Sequence, residues 1–447
     1  MRRSGVLLSV LAILIVHSTL LWIYHSPAPK ELMGDEVMYN SVAQRILRGE
    51  DPAMELLWPP LYPRFVAWLL FAGRGSLLMV QLVQSLLVVF IAVTARDLCR
   101  RMLGPGPVGD WVALATLLYP PLVAFAHYLW PEVLHLALFM AALWILAVRR
   151  RRVPGLMGLG LVLGLALLTK SLLGPFLPLL LLPIALDEGR WTARAARVAL
   201  VLLVLGATIA PTVVANYRRS GEAVISDSSR FNIWVGLNER SRRNFVDEVV
   251  AEEYQRYRRS APDHRRRNEL LEQQIGELLR EKGLLAVLGG QLGRQYFRLM
   301  NKDSFLSDQL PGGPIADRGG GYRETQRAVA LAIRLVSHGM YAVILVAAAV
   351  GLALCPPRGR RWLWLLLAYL AYNLALFLIL HVKTRYRIQF LPVLFFYASY
   401  AINWWLARFR CRPSAQPSHE PPRWAWSLAA VGAVLALFLA FGGPLLD

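Results

Sequence analysis

The sequence predicts an all-α integral membrane protein with about eleven transmembrane helices. Of its 447 residues, 56% are hydrophobic and only 17% are charged, and the mean hydropathy is +0.43. A soluble domain has about a quarter charged residues. Apolar runs of roughly 18 residues or more recur along the chain, and a helix of that length crosses the hydrocarbon core of a bilayer.

The predicted spans are joined by mostly short connections. The first, 5–24, is too long for the apolar core of a signal peptide and lacks a small-x-small cleavage site, so we expect an uncleaved helix. The apolar segment 61–71 is too short to cross the bilayer and is expected at its interface. The predicted spans are 5–24, 77–94, 111–127, 130–148, 156–168, 172–186, 198–215, 328–354, 362–380, 388–405 and 424–441.

The net charge of +20 comes largely from arginine groups between the spans. With a cytoplasmic N-terminus, eleven spans place six such groups in the cytoplasm, as expected for a membrane protein facing an anionic leaflet. The charge therefore does not indicate a nucleic-acid partner. Three cysteines without CxxC spacing predict neither a disulfide framework nor a zinc site. The six groups are Arg2 with Arg3, 96–101, 149–152, 190–197, 358–361 and 408–412.

The chain divides into three regions by composition. Residues 1–216 form an N-terminal transmembrane module whose first outer loop, 25–60, carries an acidic pair and a predicted surface helix at 37–47. Residues 217–325 are polar and form an extracytoplasmic region with helical periodicity over 269–288 and a Gly/Pro-rich loop at 308–321. Residues 326–447 contain the last spans.

This topology gathers ionisable residues of both signs at the outer face. Each has an ordinary explanation as a helix-end anchor, a carboxylate at a helix start or a lysine that reaches the headgroups. Their collection at one face is better explained by a shared site. The candidate residues are Asp35, Glu36, Glu132, Lys170, His381, Arg385 and Arg387.

These residue types fit group transfer from a phosphate to a hydroxyl. A carboxylate, Asp35 or Glu36, can take the hydroxyl proton. Fixed positive charge from Lys170, Arg385 and Arg387 can stabilise the leaving phosphate. Arg385 and Arg387 share a side only if their segment is extended, which we expect of a loop that reaches into the site. A hydrophobic body suits a lipid-linked donor.

Several short motifs carry a family resemblance that spans most of the chain. The motifs are Gly34-Asp35-Glu36 with Tyr39, PPLYP at 59–63, YLWPE at 128–132, NIWVGLN at 232–238, and His381 with Arg385-Tyr386-Arg387 ahead of Leu391-Pro392. They resemble those of the GT-C glycosyltransferases, in particular the dolichyl-phosphate-mannose protein mannosyltransferases, the bacterial aminoarabinose transferases and the lipopolysaccharide-core galacturonosyltransferase-like proteins.

The resemblance implies a GT-C architecture and an inverting transfer of a sugar from a polyprenyl-phosphate carrier on the non-cytoplasmic face. It implies that Asp35 is the base and that Glu36 orients it or contacts substrate. The protein mannosyltransferases carry an extra luminal domain that is not visible here, which favours a multi-pass enzyme of the bacterial inner membrane with a lipid or glycan acceptor. The implied substrate-binding residues are Tyr39, Glu132, Lys170, His381, Arg385 and Arg387.

Two other functions remain open at the level of sequence. A transporter or lipid flippase would place its ionisable groups near the bilayer midplane and show internal repeats, and neither pattern is found. An oligosaccharide ligase or polymerase with a diphosphate-linked donor would need similar charges. No cofactor is predicted: a few carboxylates could hold a divalent metal, but arginine and lysine alone can bind a carrier phosphate.

Overall fold

The computed structural model describes residues 3–25, 30–50, 56–238, 247–355, 361–409 and 422–442. Parts of the first outer loop (26–29 and 51–55), most of the basic groups at 358–361 and 408–412, and Cys411 lie outside these ranges.

The described residues form helices joined by turns and loops. They comprise nineteen α-helices and two 3₁₀ helices, at Ser171–Phe176 and Thr384–Phe390. The α-helices are α1 Arg3–His25, α2 Asp35–Leu47, α3 Leu61–Ala72, α4 Leu77–Leu103, α5 Val108–Leu118, α6 Pro120–Ala124, α7 Glu132–Arg149, α8 Val153–Thr169, α9 Leu177–Ala185, α10 Trp191–Ser220, α11 Ser229–Leu237, α12 Asp247–Ser260, α13 His264–Lys282, α14 Leu284–Met300, α15 Phe305–Gln309, α16 Arg327–Leu354, α17 Arg361–Ile379, α18 Leu391–Phe409 and α19 Arg423–Phe441.

Eight helices of the described chain are long and apolar enough to cross a membrane. Shorter apolar helices occupy the predicted spans 111–127, 156–168 and 172–186. The first of these breaks before Pro120, and the last begins as a 3₁₀ helix that contains Pro175, because proline lacks the N–H that an α-helix needs. The all-helical membrane fold predicted from the sequence is confirmed, with this difference in helix length.

The polar elements differ in detail from their predicted bounds. The surface helix of the first outer loop begins at Asp35, two residues before the predicted start, so the acidic pair lies inside the helix. The periodic stretch 269–288 is two helices, α13 and α14, separated at Gly283, whose φ of +74° ends the first of them.

One end of the bundle is rich in paired arginines. The buried carboxylate of Asp187 accepts hydrogen bonds from Arg151 at 2.8 and 2.9 Å, from Arg197 at 3.0 Å and from Arg150 at 3.4 Å. Arg150 immediately follows α7, which begins at Glu132. Glu132 and this arginine cluster therefore lie at opposite ends of the same helix.

Helix α11 lies directly against the chain between α17 and the second 3₁₀ helix. The His381 N–H donates to the Asn232 carbonyl at 3.1 Å, and the side-chain amides of Gln291 and Gln295 donate to the Gly236 carbonyl. A Cβ at Gly236 would lie 2.4 Å from the Ile379 carbonyl oxygen, so only glycine allows this approach. The NIWVGLN motif thus joins the polar region 217–325 to the segment that contains His381.

Gly236→Ala tests this contact. Because the added Cβ meets backbone atoms of Ile379 and Leu380 rather than a movable side chain, we expect the variant to lose about 1–3 kcal/mol of stability and to melt at a lower temperature in detergent. Gly289→Ala is the matched control, because a Cβ there meets nothing within 4 Å. A parent-like melting temperature for Gly236→Ala would contradict the assignment.

Candidate active site

Four charged residues meet at the end of the bundle opposite the arginine cluster. Asp35 is the first residue of α2, Glu132 the first residue of α7, and Lys170 directly follows α8. Arg385 lies in the 3₁₀ helix Thr384–Phe390, just before α18. Neighbouring spans run in opposite directions, so residues far apart in sequence come together at one end.

Arg385 is the link between the two carboxylates of this group. Its Nη2 donates to Asp35 Oδ2 at 2.5 Å, and its Nε lies 3.8 Å from Glu132 Oε1. The guanidinium packs 4.5 Å above the centre of the Trp130 ring, a cation–π contact. The Arg385 side chain is 11% exposed, whereas that of Asp35 is 34% exposed, so the Asp35 carboxylate has an open side.

Lys170 completes the row of alternating charges. Its Nζ donates to Glu132 Oε1 at 2.9 Å and lies 5.6 Å from the centre of the Tyr386 ring. Glu132 is almost fully buried, and its two cationic neighbours compensate its charge. Asp35, Arg385, Glu132 and Lys170 therefore form a row of two anions and two cations, open to solvent mainly beside Asp35. We call it the charge row.

The charges around Asp35 keep it ionised. Burial alone would raise its pKa, but the charges of Arg385 and Lys383 and the hydrogen bond from Arg385 lower the pKa to about 2. The pair stabilises the fold at pH values above the usual carboxyl pKa, and this contribution is lost as the pH falls towards 2. Asp35 also lies in the first turn of α2, where the helix dipole favours negative charge.

Glu36 does not face the charge row. Successive helical residues are rotated by about 100°, so the two acidic residues point in different directions. Glu36 is fully buried; its Oε2 forms an ion pair with Lys30, and its Oε1 accepts the Leu129 N–H at 3.1 Å. The two acidic residues therefore do not share one site. Asp35 has an open carboxylate, whereas Glu36 binds Lys30 and the backbone of Leu129.

Lys30, which was not among the predicted site residues, supports the site from outside the charge row. Its ammonium is fully buried against Glu36 and lies 5.7, 5.1 and 6.0 Å from the ring centres of Tyr24, Tyr128 and Tyr322. The only available signal was that it is the one basic residue between the first span and the acidic pair. Nothing in its spacing predicted the three surrounding rings.

The turn into α2 requires glycine. Gly34 has φ +56° and ψ −126°, a conformation that side-chain-bearing L-residues rarely adopt, although a Cβ there would meet nothing within 4 Å. This turn directs the chain from Lys30 into the helix and sets the direction in which Asp35 projects.

Arg387 lies away from Arg385, contrary to the expectation of an extended segment. The segment is a 3₁₀ helix, in which residues two apart are rotated by about 240°. Arg387 is 2% exposed, donates to the Asn301 carbonyl and packs 4.3 Å from the centre of the Tyr341 ring. The structure therefore brings Arg385, but not Arg387, to Asp35.

Tyr39 and His381 lie beside the charge row. Tyr39 is one turn after Asp35 on α2; burial, followed by the charges of Asp35 and Glu132, raises the pKa of its phenol, which stays protonated. Burial and the charges of Lys383 and Arg385 lower the pKa of His381 to about 3, so its ring is neutral. His381 Nε2 lies 3.3 Å from the Tyr386 hydroxyl.

The YLWPE motif is held in place by glutamines of α4. Gln84 donates to the carbonyls of Ala126 and Tyr128 at 3.0 and 2.9 Å, and Gln81 donates to that of His127 at 3.2 Å. Glu36 binds the same stretch of chain from the other side, because its carboxylate accepts the Leu129 N–H. The chain fixed in this way places Trp130 beneath Arg385 and begins α7 at Glu132.

The charge row does not resemble a cluster of metal ligands. Among the described residues, no three His, Cys, Asp or Glu side chains converge in a way that could hold a metal ion. The two carboxylates of the row are instead bridged by Arg385.

The chain is similar in structure to ArnT from Cupriavidus metallidurans. The crystal structure of ArnT bound to undecaprenyl phosphate matches with a TM-score of 0.52 and 16% identity, over 98% of this chain and 72% of that chain. The apo-state ArnT structure matches with a TM-score of 0.39 and 15% identity, over 90% and 76%. No family model and no curated protein matches the sequence. The undecaprenyl-phosphate-bound structure shows a shared fold, which confirms the predicted all-helical, multi-pass membrane fold.

Lys30→Met tests the buried ion pair. It leaves the Glu36 carboxylate buried without a cation, so we expect a loss of about 3–5 kcal/mol of stability, measured by thermal unfolding in detergent. Adding Glu36→Gln removes the uncompensated charge and should restore part of the loss.

The matched control is Arg48→Met, which breaks the exposed pair between Arg48 and Glu50 and should leave the melting temperature unchanged. If Lys30→Met melts at the same temperature as the parent, the pair does not hold the first outer loop in place.

Proposed function

We propose that this chain, a membrane protein with the fold of ArnT, is an inverting glycosyltransferase that moves a sugar from a polyprenyl-phosphate-linked donor to a lipid, glycan or protein acceptor. The charge row carries the proposal. It offers one open, ionised carboxylate beside two cations, the set that transfer from a phosphate to a hydroxyl requires. The fold supports it, because ArnT was crystallised with undecaprenyl phosphate.

Asp35 acts as the base in this proposal. The acceptor hydroxyl approaches the open side of its carboxylate, and its oxygen attacks the anomeric carbon of the donor. The proton passes to Asp35 as the new C–O bond forms, and the bond from the anomeric carbon to the phosphate oxygen breaks. The phosphate leaves on the opposite face of the sugar, so the configuration inverts.

Arg385 and Lys170 hold the leaving phosphate. Both end in buried or nearly buried cationic groups whose present partners are Asp35 and Glu132. When Arg385 donates to the phosphate, it donates less to Asp35. The pKa of Asp35 then rises from about 2, and the carboxylate becomes a stronger base when the donor is bound.

The remaining site residues position this chemistry. Glu36 and Lys30 fix α2 so that Asp35 points to the open side. Tyr39 supplies a protonated phenol next to Asp35, and Trp130 supports the guanidinium of Arg385. His381 holds Tyr386 beside Lys170, and Arg387 anchors the 3₁₀ helix from its other side.

We also propose the orientation. The arginine cluster around Asp187 lies at the end of the bundle that the positive-inside rule assigns to the cytoplasm. The charge row at the opposite end then faces the periplasm or cell exterior, with the protein in the bacterial inner membrane. A lipid-linked donor and an envelope lipid or glycan acceptor would both be available there.

Asp35→Asn tests the base. We expect the purified variant to transfer labelled sugar from polyprenyl-phosphate donors about 100-fold to 10,000-fold more slowly than the parent. The asparagine amide cannot accept the proton of the acceptor hydroxyl. Glu31→Gln is the matched control: it neutralises an exposed carboxylate four residues away and should keep parent activity.

A folded Asp35→Asn protein with full transfer would exclude Asp35 as the base. The same assay addresses the other functions. Carrier lipid that crosses vesicles without donor consumption would show a flippase. Consumption of a diphosphate-linked oligosaccharide, but of no polyprenyl-monophosphate sugar, would show a ligase or polymerase.

Arg385→Ala tests the phosphate contact. We expect the affinity for undecaprenyl phosphate, measured by calorimetry in detergent, to fall by at least about 30-fold, the effect of losing one partner of a buried charged contact. Arg385→Lys keeps a point charge and should bind with intermediate affinity. Arg323→Ala, at an exposed outer arginine, is the control and should bind like the parent. Unchanged affinity in a folded Arg385→Ala protein would contradict the assignment.

A further inference from the structure

The helix Leu284–Met300 (α14) exposes leucines and buries glutamines. Its outward residues include Leu284, Leu285 and Leu292, which are 56%, 85% and 50% exposed. Gln291 and Gln295 are almost completely buried on its inward face, which also contains Val287 and Leu299. A helix that faces water normally presents polar residues outward and apolar residues inward.

The inward polar residues have an internal purpose. Both glutamine amides donate to the Gly236 carbonyl, and Gln295 also reaches the Leu380 carbonyl at 3.5 Å. These bonds explain why two polar residues lie on the inner face. Within the described part of the chain, nothing covers the outward leucines, and exposed apolar side chains of this kind mark a contact surface.

The contacts of α14 place its C-terminal half beside two candidate membrane spans. The Tyr296 hydroxyl donates to the Leu374 carbonyl at 3.0 Å, and the rings of Phe297 and Phe438 meet at 5.2 Å. Leu374 precedes Ile379, the last residue of α17, by about 7 Å along the helix axis, and Phe438 precedes the end of α19 by about 4–5 Å. The C-terminal half of α14 therefore packs below the ends of two candidate membrane spans.

α14 lies next to an apolar span, α19, which it contacts through Phe297 and Phe438. That span exposes Val431, Val434, Leu435 and Phe438, and only a small share of it is buried inside the protein. The exposed Arg294 follows the leucines on α14. An arginine at this position can keep its aliphatic stem in an apolar environment and reach the headgroups with its guanidinium.

We propose that α14 is embedded in the bilayer leaflet at the charge-row end of the bundle and that Leu284, Leu285 and Leu292 contact lipid chains. The inference goes beyond sugar transfer and holds for any activity of the charge row. The helix is also linked to the second 3₁₀ helix, because Arg387 donates to the carbonyl of Asn301, the residue that follows α14. A lipid-embedded helix is thus bonded to the segment that contains Arg385.

Photocrosslinking in proteoliposomes tests the proposal. A benzophenone amino acid is placed at position 285 or 292 by codon suppression, and adducts are identified by mass spectrometry after irradiation. We expect phospholipid adducts at both positions. Position 274, an exposed glutamine on the neighbouring α13, is the matched control and should give at least tenfold fewer lipid adducts.

Two results would overturn the proposal. Crosslinks from positions 285 and 292 to a second copy of the chain would show that the face is covered by protein. Lipid adducts no more frequent than at position 274 would show that the face is in water. Neither readout depends on sugar transfer, so the test remains informative if the proposed function fails.

Discussion

The fully buried ion pair between Lys30 and Glu36 connects the first outer loop to the body of the bundle. Glu36 also accepts the Leu129 N–H, so one carboxylate joins the chain before α2 to the chain that leads into α7. Because α2 is rigid over this distance, holding Glu36 on one side fixes Asp35 on another. The position of the open carboxylate therefore depends on a pair that takes no part in the charge row.

Burying charges in this way costs desolvation free energy. A protein in which apolar residues replace a buried ion pair is often as stable as the original. The proposed function gives a reason to keep it. A transfer site needs charges that are held close to their working positions before substrate arrives. The glutamines of α4, the rings around Lys30 and the 3₁₀ helix that holds Arg385 restrict movement from three directions. The result is a row of charges in which Asp35 keeps a side open to solvent.

The sequence allowed much of this to be predicted, because membrane spans and basic connections follow from length and charge alone. The alternation of spans was sufficient to bring Asp35, Glu132, Lys170 and Arg385 to one end. The direction of each side chain was not predictable. A helix start placed at 37 instead of Asp35 concealed that Asp35 and Glu36 diverge. Lys30 gave no periodic signal, and the 3₁₀ geometry that separates Arg385 from Arg387 has no clear pattern in seven residues.

The backbone at Gly34 adds a stereochemical constraint to the site. Its φ of +56° and ψ of −126° are the mirror image of the extended conformation that L-residues prefer. The space around its Cα is open, so chirality rather than volume restricts the position to glycine. A D-alanine introduced there by chemical synthesis would match the turn, whereas an L-alanine would strain it. The handedness of this single residue therefore helps to determine where the Asp35 carboxylate points.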